Sequence, residues 1–409
     1  MGTVLGALLA GSAACAVATT DAPGTPPPPP VDAGNDAELL PGDGGAAPPA
    51  AVGHLAGVVY APNGTVPVAG ALLYLTTTKP APQPDHVYCD TCVTLPAGAP
   101  HALTDAKGAF QLAPTQTGAQ FLVIQKGGFR RIREIYVSKG DATLPPTLTA
   151  LPPKTDVTAG DEIPRITVVK GAYDEIEASL AKLGIDPSAI DLVQSSLIGQ
   201  AAKSFLTDAK AVGGRHIVFL PCGDFTQPSP NVDLSSDPTV QANLRAFVEA
   251  GGRLYATDWH YDFVARMFPG FIGVQGASTT ACSGCGKLPY TAKASVNDQG
   301  LAAWMAGQGL GAFDLEKNYT GILSVQPTTV TTKQGSKTVT PKVWVSGSVN
   351  NGPVRPATVS FEYGCGRVMF STYHTEPFSL ALTPQERALL GVLLEVSVCN
   401  DSDTGVIVK

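Results

Sequence analysis

The chain has 409 residues, enough for two or three domains, and a net charge of −7. It holds no long basic run, which excludes nucleic acid as a partner. Its 44 glycines and 35 prolines are concentrated in part in one linker near the amino terminus.

Residues 4–11, VLGALLAG, form an apolar run too short to cross a bilayer as a helix. Such a run matches the hydrophobic region of an export signal, here residues 1–18. Ser12-Ala13-Ala14-Cys15 resembles a bacterial lipobox, which implies lipidation at Cys15 and a cell-envelope protein anchored in a membrane. The alternative is cleavage after Ala16-Val17-Ala18 and a periplasmic or secreted product. Residues 19–53 read as a linker, with a proline run at 26–30 that favours extended polyproline II and a semi-rigid spacer.

Residues 54–152 read as all-β. Runs at 55–60, 71–75, 109–112, 121–125 and 132–137 are separated by turn residues, and so many short strands imply a β-sandwich. Gly57-Val58-Val59, Val68-Ala69-Gly70-Ala71, Thr104-Asp105 with Gly108 and Phe110, and Lys126-Gly127-Gly128-Phe129 resemble the carboxypeptidase regulatory-like (prealbumin-like) domain. The resemblance implies a structural or adhesive module without catalytic residues. Cys89 and Cys92 are close enough for a local disulfide in an oxidising compartment. The alternative is zinc held with His86 and His101. Arg130, Arg131 and Arg133 read as protective charges on a solvated strand edge, the alternative being an anionic polymer site.

From 153 to 400 strands alternate with helices, which predicts a doubly wound, mostly parallel α/β sheet; 401–409 is a tail. Strands are expected at 165–169, 191–193, 216–220, 253–256, 342–346, 358–363 and 367–372, with a hairpin inserted at 325–340. Asp237 caps a helix with Pro238 at its first position, and Asp174 opens another. Thr383-Pro384-Gln385-Glu386 is a capping box for the terminal helix. Residues 251–264, GGRLYATDWHYDFV, read as strand, sharp turn and helix. The polar pair Thr257-Asp258 then stands at a strand's carboxyl end, where open α/β sheets bind ligands.

These pieces resemble the class I glutamine amidotransferase-like superfamily, including its trehalose-utilisation-like branch. Leu220-Pro221-Cys222-Gly223 is similar to the family's oxyanion loop, 254–260 falls where its nucleophile elbow belongs, and His374-Thr375-Glu376 matches its His-x-Glu. The resemblance implies a flavodoxin-like sheet. The elbow residue, however, is Asp258 rather than cysteine, so the activated thiolate of a Cys-His pair is missing there. The two-part arrangement also resembles bacterial surface lipoproteins.

Two functions follow as expectations. In the first, a non-catalytic module without metal or cofactor binds a small polar, carbohydrate or cell-wall ligand. Trp259 and Tyr261 would stack on it, and Cys222, Gly223, Asp224, Asp258, His260 and His374 would line its contacts. In the second, Asp258, His374 and Glu376 hydrolyse a substrate by metal-assisted or general acid–base chemistry, which requires Asp258 and His374 to converge. Cys282 and Cys285 are expected to form a local disulfide. The terminal helix, rising about 1.5 Å per residue, should return Cys399 to the start of the last strand and pair it with Cys365.

Overall fold

Alternating apolar residues build two small sheets in the first part of the chain. The structure is a computed structural model and describes residues 50–90, 92–96, 98–171, 173–194, 200–223, 233–274, 290–318, 320–349, 352–375 and 379–396. The export signal, most of the linker, Cys15, Asp224, Cys282, Cys285, Glu376 and Cys399 lie outside the described residues. Strands Leu55–Val58 (β1), Leu72–Thr76 (β2), His101–Leu103 (β3), Ala109–Leu112 (β4), Gly118–Lys126 (β5), Phe129–Val137 (β6) and Ala142–Thr143 (β7) come first. A short helix, Pro146–Thr149 (α1), precedes Asp161–Glu162 (β8). The sheet orders are β4-β1-β7 and β3-β2-β5-β6-β8. Successive side chains of a strand point to opposite faces. Leu73, Leu75, Leu122 and Ile124 therefore join the main core, while Leu72, Tyr74 and Val123 pack on the other side with Val93 and Leu95.

The β6 arginines are not on a solvated edge. Arg130 pairs with Glu162, Arg131 with Asp161 at 2.9 Å, and Arg133 with Asp161 at 2.8 Å. Pairing of β8 alongside β6 delivers both carboxylates and buries Arg130 and Arg131. A buried charge needs such a partner, and these are therefore structural ion pairs.

The rest of the chain alternates as expected. In order it forms Ile166–Val169 (β9), Ile176–Lys182 (α2), Ile190–Val193 (β10), Gln200–Thr207 (α3), Ala209–Gly213 (α4), Ile217–Leu220 (β11), Pro238–Glu249 (α5), Arg253–Thr257 (β12) and Tyr261–Met267 (α6). Next come Ile272–Val274 (β13), Tyr290–Val296 (β14), Gln299–Gly307 (α7), Asp314–Asn318 (β15), Ile322–Val325 (β16), Thr328–Thr332 (β17) and Gly335–Val339 (β18). Lys342–Val349 (β19), Val354–Tyr363 (β20), Gly366–Ser371 (β21) and Pro384–Val396 (α8) complete the chain.

One sheet has the order β10-β9-β11-β12-β21-β20-β19-β14-β15. The first five of these strands are mutually parallel, and the pairings from β21 to β15 are antiparallel. The sheet is thus less uniformly parallel than expected, because the segment between α6 and β20 adds strands to its edge. The chain is a mixed α/β protein of several sheets.

The parallel strands are buried on both faces, as continuous apolar runs such as Ile217–Leu220 require. Phe219, Tyr255 and Met369 face α2, α8 and the core of the first sheets. Val218, Leu220, Leu254, Ala256, Val368 and Phe370 face α3, α5 and α6. Asp237 caps α5 by accepting from Thr239 N at 2.8 Å. The expected capping box opens α8: Thr383 N donates to Glu386 Oε2 at 2.8 Å, and Glu386 N to Thr383 Oγ1 at 3.3 Å.

The long connection between β2 and β3 runs under the amino ends of the parallel strands. Val87 N donates to Gly213 O, Arg165 Nη1 to Asp85 O, and His216 Nε2 lies 3.0 Å from Pro84 O. Tyr88 O passes so close to Gly251 that a Cβ there would sit 1.9 Å away, and Gly251 has φ +118°, so both space and backbone demand glycine. This docking sets the disulfide pattern. Cys89 bonds Cys365, 276 residues on, with Cα atoms 5.2 Å apart. The expected Cys89–Cys92 and Cys365–Cys399 pairs are both corrected by it, and so is the zinc alternative at Cys89. The docked loop brings Cys89 to the β20–β21 turn, a tertiary contact that local spacing does not encode. Cys92 is also a disulfide cysteine. No helix of the described residues is long and apolar enough to cross a membrane.

Candidate functional site

At the opposite, carboxyl ends of β11, β12 and β21, three adjacent strands deliver three reactive side chains. Strand β12 ends in extended Thr257, and Asp258 then turns to φ +45° before the short helical turn that leads into α6. That left-handed backbone is uncommon outside glycine, though aspartate tolerates it better than most residues. It is the kind of strained strand-to-helix turn that presents a functional side chain. Asp258 Oδ2 lies 3.0 Å from His374 Nε2 of the β21 exit, and both side chains are within 3% of full burial. Cys222, two residues past β11, completes the group: its Sγ, an Asp258 carboxylate oxygen and a His374 ring nitrogen all lie within 4.8 Å of one another.

Asp174 holds the three exits in register. It is buried, and its Oδ2 accepts from Thr257 Oγ1 at 2.7 Å. Its Oδ1 accepts from Thr375 N at 2.9 Å and Thr375 Oγ1 at 2.5 Å. Thr257 precedes Asp258 and Thr375 follows His374. Thr257 Oγ1 in turn accepts the Cys222 amide at 2.8 Å. One carboxylate therefore fixes the backbone beside every member of the trio. The β9 exit also touches Cys222 directly. Tyr173 N donates to Cys222 O at 3.1 Å, and a Cβ on Gly171 would sit 2.1 Å from that oxygen. The sequence pattern predicts Asp174 as the first residue of a helix. Helix α2 instead starts after Glu175. The available signal was a carboxylate a few residues beyond a buried strand.

The electrostatics follow from burial and neighbours. Burial alone would disfavour the His374 imidazolium, but the Asp258 hydrogen bond and the charges of Asp174 and Asp258 outweigh it, leaving its pKa raised. His260 shows the reverse. Burial drops its pKa to about 4, so the ring is neutral, and its Nδ1, 3.1 Å from Leu220 O, carries the proton.

The expected ligand contacts divide. Cys222 reaches the centre of the site. Trp259, next to Asp258 in the chain and half-buried, lies edge-on to Tyr173 with ring centroids 5.3 Å apart, and Tyr173 is 50% exposed. His260 and Tyr261 are buried. The turn into α6 directs both inward, where Tyr261 donates to Ile272 O at 2.7 Å and packs on Phe370. Gly223 follows Cys222 on the β11 exit, while Asp224 and Glu376 lie outside the described residues. A separate cavity of about 320 Å³ lies elsewhere, lined by Gly70, Asp298, Trp304, Lys342, Trp344 and Gly391, with Lys342 Nζ 3.6 Å above the Trp344 ring.

No protein-family model matches the chain, and a search of curated proteins returns no match. Among solved structures it is similar to a ThuA-like protein from Bacteroides uniformis at 12% identity and TM-score 0.33, covering 60% of this chain and 96% of that one. A cytoplasmic protein from Salmonella typhimurium is similar at 12% identity and TM-score 0.35, covering 68% and 94%. A β-galactosidase from Bacillus circulans sp. alkalophilus is similar at 10% identity and TM-score 0.30, covering 56% and 30%. These likenesses are distant, and the reading of the site rests on its own geometry.

Proposed function

We propose that the protein is exported to the cell envelope, anchored through Cys15 or else periplasmic or secreted, and that it binds a small polar or carbohydrate ligand at the strand-end site. The observation that carries the ligand reading is the Tyr173–Trp259 pair, an aromatic edge reaching solvent beside a buried polar cluster. Such a face with a few fixed polar groups suits a sugar or a cell-wall fragment. The protein we propose has a flavodoxin-like parallel sheet. The parallel order β10-β9-β11-β12-β21 is the second, first, third, fourth and fifth strand in turn, the order of flavodoxin-like sheets. The two small sheets sharing one core suit a carboxypeptidase regulatory-like sandwich. Asp258 in place of a thiolate at the elbow suits a degenerate amidotransferase-like module that binds without acyl transfer.

The test is a glycan and muropeptide array probed with wild type, Trp259→Ala and Trp344→Ala. Binding lost only in Trp259→Ala supports the strand-end site. Binding lost only in Trp344→Ala moves the ligand to the separate cavity, and no binding by wild type removes the proposal.

One observation favours the hydrolase alternative: the Asp258–His374 contact of 3.0 Å, the convergence that this chemistry requires. In that reading Asp258 holds His374 through Nε2 and stabilises its charged form, and Nδ1 is the nitrogen left to exchange a proton with substrate. Hydrolysis of a bound saccharide, abolished in His374→Gln, would distinguish it from binding alone.

A further inference from the structure

We infer that Cys222, Asp258 and His374 form a binding site for a zinc-class divalent ion. The inference concerns the strand-end site but stands without any saccharide ligand.

Three observations carry it. The ligand atoms are close together, all within 4.8 Å, on three adjacent strand exits. In a tetrahedral zinc site with bonds of about 2.0–2.3 Å, the ligand atoms of this donor set sit roughly 3.3–3.5 Å apart, so the widest gap closes by at most about 1.5 Å while the Asp258–His374 contact opens slightly. The donor set is selective. One sulfur, one imidazole nitrogen and one carboxylate oxygen suit zinc or cobalt, whereas calcium and magnesium take all-oxygen sites. Two anionic donors also balance the charge of a dication, which a buried site requires. Finally, the supporting shell is already built. Asp174 reaches Thr257, Thr375 and, through Thr257 Oγ1, the Cys222 amide, so the backbone that carries each ligand is fixed. Cys222 carries no disulfide, although Cys89, Cys92 and Cys365 do. A buried thiol kept reduced beside an imidazole and a carboxylate is what metal ligation requires.

Coordination removes the Cys222 thiol proton to solvent. The Nε2 proton between His374 and Asp258 also leaves, or moves to Nδ1. Three protein ligands leave a fourth position for water or a ligand atom, the arrangement of an open rather than a closed zinc site.

The test uses the metal alone. Chain produced in zinc-supplemented medium is assayed for metal content, and chain refolded from guanidinium with its disulfides intact is titrated with Co²⁺. The expected results are one zinc per chain and one equivalent of Co²⁺, with a thiolate-to-cobalt charge-transfer band. That band disappears in Cys222→Ser. Asp258→Asn, which tolerates the same backbone, weakens binding at least tenfold, as does Asp174→Asn. Asp262→Asn, outside the cluster, leaves binding unchanged. Wild type that regains its circular dichroism yet shows no band overturns the inference, as does a band that survives Cys222→Ser. If Cys222→Ser does not fold, undiminished binding in Asp258→Asn overturns it. Absence of saccharide binding does not bear on these readouts, so the two proposals fail separately.

Discussion

The Asp174 carboxylate accepts the Thr257 hydroxyl at 2.7 Å, and that contact joins the exits of β9 and β12 across the intervening strand β11. Because the same carboxylate also takes both donors of Thr375, it ties β9 to β21 as well. Hydrogen bonds to a buried charge are each worth about 1.5–3 kcal/mol net, and orphaned donors cost more. Asp174→Ala is therefore expected to destabilise the protein by about 3 kcal/mol or more in denaturant unfolding. Thr257→Val, which removes one bond of the network, should cost about half as much.

A non-reducing peptide map should recover a cross-linked peptide containing Cys89 and Cys365. A peptide closed between Cys89 and Cys92 would contradict the docking of the β2–β3 connection beneath the sheet. With its ends 276 positions apart in the sequence, the bridge restricts a long loop of the unfolded chain. Its replacement by two serines should cost about 3–5 kcal/mol.

Glu386 does more than close the capping box. Its Oε1 accepts from Ser179 Oγ at 2.5 Å and from Lys182 Nζ at 2.8 Å, fastening α8 to α2. Thr383→Ala should cost about 1 kcal/mol, as for an ordinary cap. Glu386→Ala removes a buried carboxylate and breaks its ion pair with Lys182, so about 3–5 kcal/mol is expected. Equal effects in thermal unfolding would show that the interhelix contacts add nothing.

Asp262 gives the stability a pH dependence. It is buried, and among the described residues neither carboxylate oxygen has a hydrogen-bond partner. Burial raises its pKa to about 7, with Arg266 opposing and Asp233 adding to the shift. A folded pKa above the unfolded one means that the favourable contribution is present below about pH 4 and lost as pH rises through about 7. Asp262→Asn should match wild type near pH 4 and exceed it at pH 8, by at most ~4 kcal/mol. A difference in melting temperature that does not change with pH would contradict this.

Much of the fold is legible in local patterns. Buried runs such as Ile217–Leu220, the caps at Asp237 and Thr383, and the turn after Thr257 depend on neighbouring residues, which the sequence displays. The convergence of Asp258 with His374 was legible as a requirement, because both stand at strand exits of one sheet. Asp174 was not, since its partners are 83 and 201 residues away. The Cys89–Cys365 bond, the arginine pairs of β6 and the inward turn of His260 and Tyr261 are likewise tertiary outcomes. Nothing in the spacing of those residues records which segment packs against them.

The hydrolase reading and the metal site both stand on Asp258 and His374 acting as one buried pair. A double-mutant cycle with Asp258→Asn, His374→Gln and the double variant, read by denaturant unfolding of the metal-stripped chain, measures that coupling directly. Asparagine tolerates the positive φ of position 258, so the backbone turn is kept. The structure predicts a coupling energy of about 1.5–3 kcal/mol. Single effects that add to within about 0.5 kcal/mol would contradict the pair, and with it the site.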